Sequence, residues 1–159
     1  MFSLFSPAVS SPRLERLRNL SLFVDLTAAE LRNVDDLLHE REYVAGEVIF
    51  DAGEEGQGLY IVVSGEVTIC RQEQGNVKQV AQLGPGTFFG ELALLDNLPR
   101  SAQARAATPC CLIVFFREDF LDLLHTHARI ASKISRELAS HLAARVREMA
   151  LLVGAHQHL

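Results

Sequence analysis

The chain has 159 residues, 48% of them hydrophobic, which is enough for one domain with its own core and leaves no room for a second. A net charge of -5 and a pI near 5.6 argue against a surface that neutralises nucleic-acid phosphates or anionic lipid. No apolar run reaches the roughly 18 residues of a membrane helix and no secretory-signal pattern opens the chain, so we expect a cytoplasmic protein without a membrane partner.

The N-terminal part of the chain is predicted to be helical. The first dozen residues contain serine and proline and are expected to be an unstructured lead-in, followed by a short helix carrying Leu14 and Leu17. Thr27 and Glu30 have the spacing of a capping box, in which each side chain accepts a hydrogen bond from the other residue's backbone amide. They predict a second helix ending near Glu40. Its inward residues would be Leu31, Val34, Leu37 and Leu38.

From Glu42 to Phe116 the pattern changes to short runs of β-branched and aromatic residues separated by glycines. The runs are VIF, LYIVV, VTIC, VKQVAQL and CLIVFF. Many short strands at turn spacing predict a sandwich or a barrel. Three Gly-Glu pairs recur, and only the pair at Gly90 and Glu91 is followed by helix-like residues.

Beyond Arg117 the helical pattern returns, first in EDFLDLLHTH and then over residues 128–153, with Gly154 as the predicted stop. One stripe of the long helix carries Ile130, Ile134, Leu138, Leu142, Val146, Met149 and Val153. The stripe is longer than a short barrel can cover, and its spacing over residues 138–153 resembles a two-helix seam. It therefore suggests a homodimer through this helix, with a stripe that packs on the domain's own core as the alternative.

Cysteine and histidine spacing does not indicate a metal site. The three cysteines, Cys70, Cys110 and Cys111, are predicted to be reduced and mostly buried on strands. The histidines, His39, His125, His127, His141, His156 and His158, are predicted to be solvated, and residues 42–116 contain none. No Ser-His-Asp or Cys-His pairing is suggested either, so an enzyme is not expected.

Glu91 and Arg100 are the residues that suggest a ligand. If the turn at Gly90 opens a short helix, its free amide groups favour an anion such as phosphate. Arg100 would be a charge-assisted partner for the same phosphate. Glu91 would repel phosphate and is suited to accept a hydrogen bond from a sugar hydroxyl. A glutamate stabilised by a helix dipole and a solvated arginine explain the same pattern without a ligand.

The segment Phe89-Gly90-Glu91-Leu92-Ala93-Leu94 followed by Pro99-Arg100-Ser101-Ala102 resembles the phosphate-binding cassette of the cyclic nucleotide-binding domain family. This family includes bacterial catabolite activator proteins, protein kinase A regulatory subunits and cyclic-nucleotide-gated channels. Three other segments are similar to the strand, glycine-turn and helix pattern of this family. They are AGEVIF with GE over residues 45–54, LYIV with GEV over residues 59–67, and Asp119-Phe120. The resemblance extends from about residue 22 to about residue 153.

The resemblance implies a mainly β fold with flanking helices, built on an eight-stranded jelly-roll β-barrel over about residues 42–116. The domain would occupy residues 22–153, with its C-terminal helices at 118–153 and the long one acting as a lid. Residues 1–21 would form the lead-in and the short helix, and residues 154–159 a frayed tail.

The resemblance also implies roles for individual residues. Glu91 would accept the ribose 2′-hydroxyl and Arg100 would pair with the cyclic phosphate. The other implied ligand contacts are Gly90, Leu92, Ala93, Ser101 and Ala102 near the phosphate, Ile69 and Val80 beside the base, and Arg145 over the purine. A solvent-facing Arg145 remains the alternative. The Arg-Ser-Ala triplet looks like that of bacterial cyclic AMP receptors and favours cyclic AMP over cyclic GMP.

We therefore expect a regulatory sensor that needs no cofactor, binds cyclic AMP or cyclic GMP, and couples binding to movement of the C-terminal helix. Its output would pass to a downstream protein, and no nucleic-acid partner is expected. The alternative is a barrel that acts as a protein-interaction module or binds another phosphorylated ligand, such as a cyclic dinucleotide. Whether the chain is a stand-alone sensor or an excised domain stays open.

Overall fold

The computed structural model of the chain describes residues 11–157, with side chains described through Gly154. The helices are α1 (Pro12–Arg18), α2 (Ala28–Asp35), α3 (Arg117–Thr126) and α4 (Ala128–Gln157), with 3₁₀ helices at Ser21–Phe23 and Glu91–Leu94. The strands are β1 (His39–Tyr43), β2 (Val48–Phe50), β3 (Gly58–Ser64), β4 (Val67–Glu73), β5 (Asn76–Leu83), β6 (Phe88–Phe89), β7 (Gln103–Ala106) and β8 (Cys110–Phe116). Most of the predicted lead-in, and the end of the predicted tail, lie outside the described residues.

The strands form two four-stranded antiparallel sheets, ordered β1-β8-β3-β6 and β2-β7-β4-β5. This is the strand order of a double-sheet jelly roll built from two Greek keys. The predicted mainly β class with flanking helices is therefore confirmed. A closed barrel is not confirmed, because in the described part of the chain each sheet ends in open edge strands. The sheets instead enclose a core between their faces.

The two central strands of the first sheet, β3 and β8, are buried on both faces, which explains their continuous apolar sequence, whereas the edge strand β1 is polar and mostly exposed. Along β3, Tyr60 and Val62 belong to the apolar cluster shared with the second sheet, whereas Leu59 and Ile61 belong to the cluster shared with the helices. This alternation follows from the two-residue period of a strand. Strand β8 alternates in the same way. The sheet therefore connects the helical layer to the second sheet.

The capping box of α2 is confirmed, since the Thr27 hydroxyl accepts from the Glu30 amide at 3.2 Å and the Glu30 carboxylate accepts from the Thr27 amide at 2.9 Å. The predicted end near Glu40 is wrong, because α2 ends at Asp35. The backbone from His39 onward pairs with β8 instead, and strand pairing is incompatible with helical dihedrals.

Two other boundaries, and the burial of the cysteines, also differ from the prediction. Helix α1 begins inside the predicted lead-in, because Ser11 caps the Leu14 amide and Pro12 occupies the first helical position. Strand β1 begins at His39, so the strand region does contain one histidine, whose ring lies 5.3 Å from the Phe116 ring. Of the three free cysteines, only Cys110 is fully buried.

Helix α4 continues through Gly154 to Gln157, so the predicted stop is wrong. A glycine ends a helix when it adopts a left-handed conformation, and Gly154 is not among the glycines with positive φ. The predicted stripe divides in two. Ile130, Ile134 and Leu138 are buried and Leu142 is partly buried, whereas Val146, Met149 and Val153 are exposed. The second half of α4 therefore extends beyond the core.

Candidate functional site

Gly90 determines how the chain leaves β6 and enters the Glu91–Leu94 helix. Its φ of 71° and ψ of 22° lie in the left-handed region, which glycine adopts without steric cost. A Cβ here would stand 2.6 Å from Nη1 of Arg100. The turn therefore requires glycine for both conformation and space. The prediction that this Gly-Glu pair opens a short helix is confirmed, and the helix is 3₁₀ in type.

Glu91 is the only charged or polar residue in the described part of the chain that is fully buried, with 3% of its surface exposed. A buried carboxylate is costly unless it is paired and hydrogen-bonded. Here Oε1 accepts a hydrogen bond from Nη1 of Arg145 and lies 3.7 Å from Nε2 of His141. Both partners are on α4, so the long helix covers the acid.

His141 was not expected to belong to this site. Besides its contact with Glu91, its ring lies 4.5 Å from the Phe88 ring at the end of the first sheet. Residues four apart share one face of a helix, so His141 and Arg145 reach the same carboxylate. That spacing was visible in the sequence, but it points to Glu91 only once α4 is packed against the cassette.

Arg100 is held by backbone hydrogen bonds to the loop after β2. Its N–H donates to the Glu54 carbonyl at 2.7 Å, and its carbonyl accepts from the Gly53 N–H at 2.8 Å. Its guanidinium donates from Nη1 to the Gly90 carbonyl at 3.0 Å and from Nη2 to the Gly58 carbonyl at 2.7 Å. The structure thus brings Arg100 and Glu91 together through the Gly90 turn.

The Arg100 guanidinium is half-buried in aromatic surroundings. Its Cζ lies 4.1 Å from the centre of the Phe50 ring and 5.8 Å from that of Tyr60. Burial lowers the pKa of Arg100, while the charges of Tyr60, Glu54 and Glu91 act in the opposite direction. Its buried Nε has no hydrogen-bond partner among the described residues. A buried donor without an acceptor is unusual in native proteins and suits a site that takes an anion.

The remaining cassette residues surround this arginine. The N–H of Ala93 donates to the Gly90 carbonyl at 3.2 Å, whereas the N–H groups of the first two helical residues have no acceptor within the turn. Ala93 and Ala102 are buried, and Leu92 and Ser101 are exposed. The predicted phosphate-side residues therefore lie within residues 90–102, with the two alanines inside and Leu92 and Ser101 at the surface.

The two residues predicted to line the base lie on the second sheet. Ile69 on β4 pairs with Ala104 on β7 and packs against the same apolar cluster as Phe50. Val80 is the extra residue of a β-bulge in β5 and is 41% exposed. Their roles stay predictions. Arg145 lies on α4 as expected, but its contact is with Glu91, and its role as a lid also stays a prediction.

Among the residues whose side chains the structure describes, no three His, Cys, Asp or Glu side chains are grouped so as to hold a metal. The side chains of His156 and His158 lie outside that part. In the described residues, no helix is both long and apolar enough to cross a membrane.

The chain is similar in sequence to known proteins over most of its length. The family model for the cyclic nucleotide-binding domain matches residues 40–127. The chain is 38% identical to the cyclic AMP receptor protein of Thermus thermophilus over 133 residues, which are 83% of this chain and 60% of that protein. It is 42% identical to the cAMP-dependent protein kinase regulatory subunit of Mycosarcoma maydis over 91 residues, which are 57% of this chain and 17% of that subunit.

Structural comparison agrees with the sequence comparison. The crystal structure of Thermus thermophilus catabolite activator protein matches with a TM-score of 0.78 and 38% identity, covering 86% of this chain and 63% of that one. The chain therefore spans less than two thirds of the length of each of these relatives.

Proposed function

The chain belongs to the cyclic nucleotide-binding domain family, and we propose that it is a sensor in which Arg100 binds the cyclic phosphate and Glu91 binds the ribose of cyclic AMP. The observation that carries this proposal is the arrangement on the two sides of Gly90. A half-buried arginine whose buried Nε has no partner stands beside the one buried carboxylate of the described residues.

The phosphate half of the proposal rests on charge and donors. Arg100 is desolvated, and its two described hydrogen bonds go to neutral backbone carbonyls. A phosphate would supply both the acceptor that Nε lacks and the negative charge that offsets the cost of burial. The exposed Ser101 hydroxyl and the free amides of the turn would complete the contacts.

The ribose half rests on Glu91. A carboxylate only accepts hydrogen bonds when it is ionised, so it suits a sugar hydroxyl and not a phosphate. Because Arg100 lies on one side of Gly90 and Glu91 follows on the other, a phosphate and an adjoining ribose would span the two. Ile69 and Val80 would lie beside the base.

Coupling to α4 follows from how Glu91 is covered. The ribose cannot reach a side chain that is 4% exposed unless His141 and Arg145 move away. We therefore propose that ligand binding shifts the part of α4 beyond the core. That part of α4 exposes the apolar side chains of Val146, Met149 and Val153, which could contact a protein partner or a second copy of the chain. A shift of the helix would change such a contact and so pass the binding signal on.

The preference for cyclic AMP is supported by the Arg-Ser-Ala triplet at residues 100–102 and by the names of two relatives, a cyclic AMP receptor protein and a cAMP-dependent kinase subunit. No catalytic role is proposed, and the expected cytoplasmic location and absence of a nucleic-acid partner stay predictions.

Isothermal titration of the chain with 3′,5′-cyclic AMP and 3′,5′-cyclic GMP tests the function directly. We expect saturable one-site binding of both, with cyclic AMP tighter by only a few-fold, since the contact that the Ser101 hydroxyl would make to guanine offsets part of the preference and is worth about 1 kcal/mol. Linear 5′-AMP is the matched control for the cyclic phosphate. If neither cyclic nucleotide binds at high micromolar concentration, a protein-interaction module or a cyclic dinucleotide sensor becomes the better reading, and cyclic di-AMP and cyclic di-GMP are titrated next.

A further inference from the structure

Two side chains of α4 stand where the ribose would have to bind. We propose that His141 and Arg145, here called the α4 clasp, compete with the ligand for Glu91 and hold the free chain in a low-affinity state. This inference rests on the proposed function, because it takes Glu91 as the ribose acceptor. It adds that the contacts made before ligand arrives determine the affinity.

The first argument is the difference in burial across the contact. The Glu91 side chain is 4% exposed, whereas those of His141 and Arg145 are 37% and 56% exposed. The acid is therefore closed off by groups that themselves reach solvent. Such groups can leave at modest cost, because their polar atoms regain water as they separate.

The second argument is the position of the clasp along α4. Upstream, Ile134 and Leu138 are fully buried in the core, and Leu142 packs partly against it. Downstream, from Val146 onward, the apolar side chains are exposed. The clasp lies where the helix leaves the core. Opening it would move the unanchored half of α4 without unpacking the anchored half.

The third argument is the way His141 is supported. Its ring packs against Phe88, which directly precedes the cassette on β6. Glu91 follows Phe88 by three residues, so one imidazole contacts both the aromatic wall and the acid. The clasp thus joins α4 to the strand and the turn that would receive the ligand.

The clasp and a purine lid predict opposite changes in ligand affinity when the Arg145 guanidinium is removed. If Arg145 chiefly stacks on the bound base, removing its guanidinium weakens binding. If Arg145 chiefly occupies Glu91 in the free chain, removing the guanidinium strengthens binding. Arg145→Met keeps the aliphatic stem and removes the charge and the donors. Arg147→Met, two positions along on an exposed part of the same helix, is the matched control.

Titration calorimetry with cyclic AMP measures the effect. We expect Arg145→Met to lower Kd about fivefold, the equivalent of an ion pair of about 1 kcal/mol, with no change in Arg147→Met. His141→Phe keeps the ring on Phe88, removes the imidazole nitrogens, and should lower Kd by about twofold. In a Glu91→Gln background, Arg145→Met should have no further effect, since the competition is gone. Weaker or unchanged binding by Arg145→Met would overturn the clasp.

A ligand-free measurement separates the two proposals. Amide hydrogen exchange over residues 141–150 should be faster in Arg145→Met than in the parent, with Arg147→Met again unchanged. If the parent binds neither cyclic nucleotide, the proposed function fails and the competition fails with it, whatever the exchange shows. If the parent binds and exchange is the same in all variants, the proposed function stands and the clasp is refuted.

Discussion

Replacing Arg100 with alanine perturbs the free chain and the proposed complex in different ways. In the free chain the guanidinium donates to the carbonyls of Gly58 and Gly90 and lies over the Phe50 ring. In the complex it would also face the phosphate. The variant therefore has one effect on folding and a second, separate effect on binding.

The effect on folding is a difference between opposing terms. Each hydrogen bond from a charged donor is worth about 1.5 to 3 kcal/mol. Against this, removing a half-buried cation relieves a desolvation cost, which remaining solvent contact reduces and which is the main cause of the lowered pKa of Arg100. We expect a net loss of only about 1 kcal/mol in the free energy of unfolding. Binding has no such offset and should weaken by about 2 to 4 kcal/mol, or about 30- to 900-fold in Kd.

Urea denaturation without ligand and titration calorimetry with cyclic AMP measure the two effects. Arg105→Ala is the matched control, because Arg105 is exposed on β7 and its Nη1 donates to the Gly46 carbonyl at 2.8 Å, away from the cassette. We expect it to bind like the parent. If a folded Arg100→Ala variant binds within about twofold of Arg105→Ala, the assignment of the phosphate to Arg100 is refuted.

Three further predictions concern selectivity, pH and backbone strain. Ser101→Ala should lose cyclic GMP affinity a few-fold more than cyclic AMP affinity, because the Ser101 hydroxyl would bridge the phosphate and the guanine amino group and one such contact is worth about 1 kcal/mol. Equal losses for the two nucleotides in competition titrations would show that other residues determine the selectivity. The hydrogen bond from Lys133 is the largest cause that lowers the pKa of Glu30 from 4.5 to about 2, so Glu30→Gln should lower the urea midpoint at pH 6. A carboxylate whose pKa is lower in the folded state than in the unfolded state stabilises the fold fully only above its unfolded-state pKa. The difference in urea midpoint between the parent and Glu30→Gln should therefore shrink as the pH falls from 4.5 toward 2. A midpoint difference that stays constant down to pH 2.5 would contradict this role of Glu30. Gly65→Ala should lower the free energy of unfolding by about 2 to 4 kcal/mol, since its φ is 87° and a Cβ would stand 2.3 Å from a carbonyl oxygen. Gly75 has a φ of 82° but nothing within 4 Å of an added Cβ, so Gly75→Ala should lower the free energy of unfolding by only about 1 kcal/mol. Equal losses in the two variants would show that the backbone moves to relieve the close contact at residue 65.

The ends of two helices were predicted wrongly, for different reasons. The start of α2 was predictable, because a capping box joins residues three positions apart. Its end was not, since it depends on the pairing of His39 with Val114 in β8. Gly154 is a stop signal by residue type, but its φ is not left-handed, and α4 continues to Gln157.

The sequence by itself indicated the mainly β class of fold and a turn at Gly90 that opens a short helix. These two features follow from residue periodicity and from the position of a glycine, which are local. The predicted roles of Glu91 and Arg100 came from the resemblance of one short segment to a known family. Only the tertiary structure decided what the two residues contact. Arg145 and Glu91 are 54 positions apart, and Arg100 and Gly58 are 42 apart. Contacts at that separation depend on how α4 and the sheets pack, and no local pattern encodes the packing.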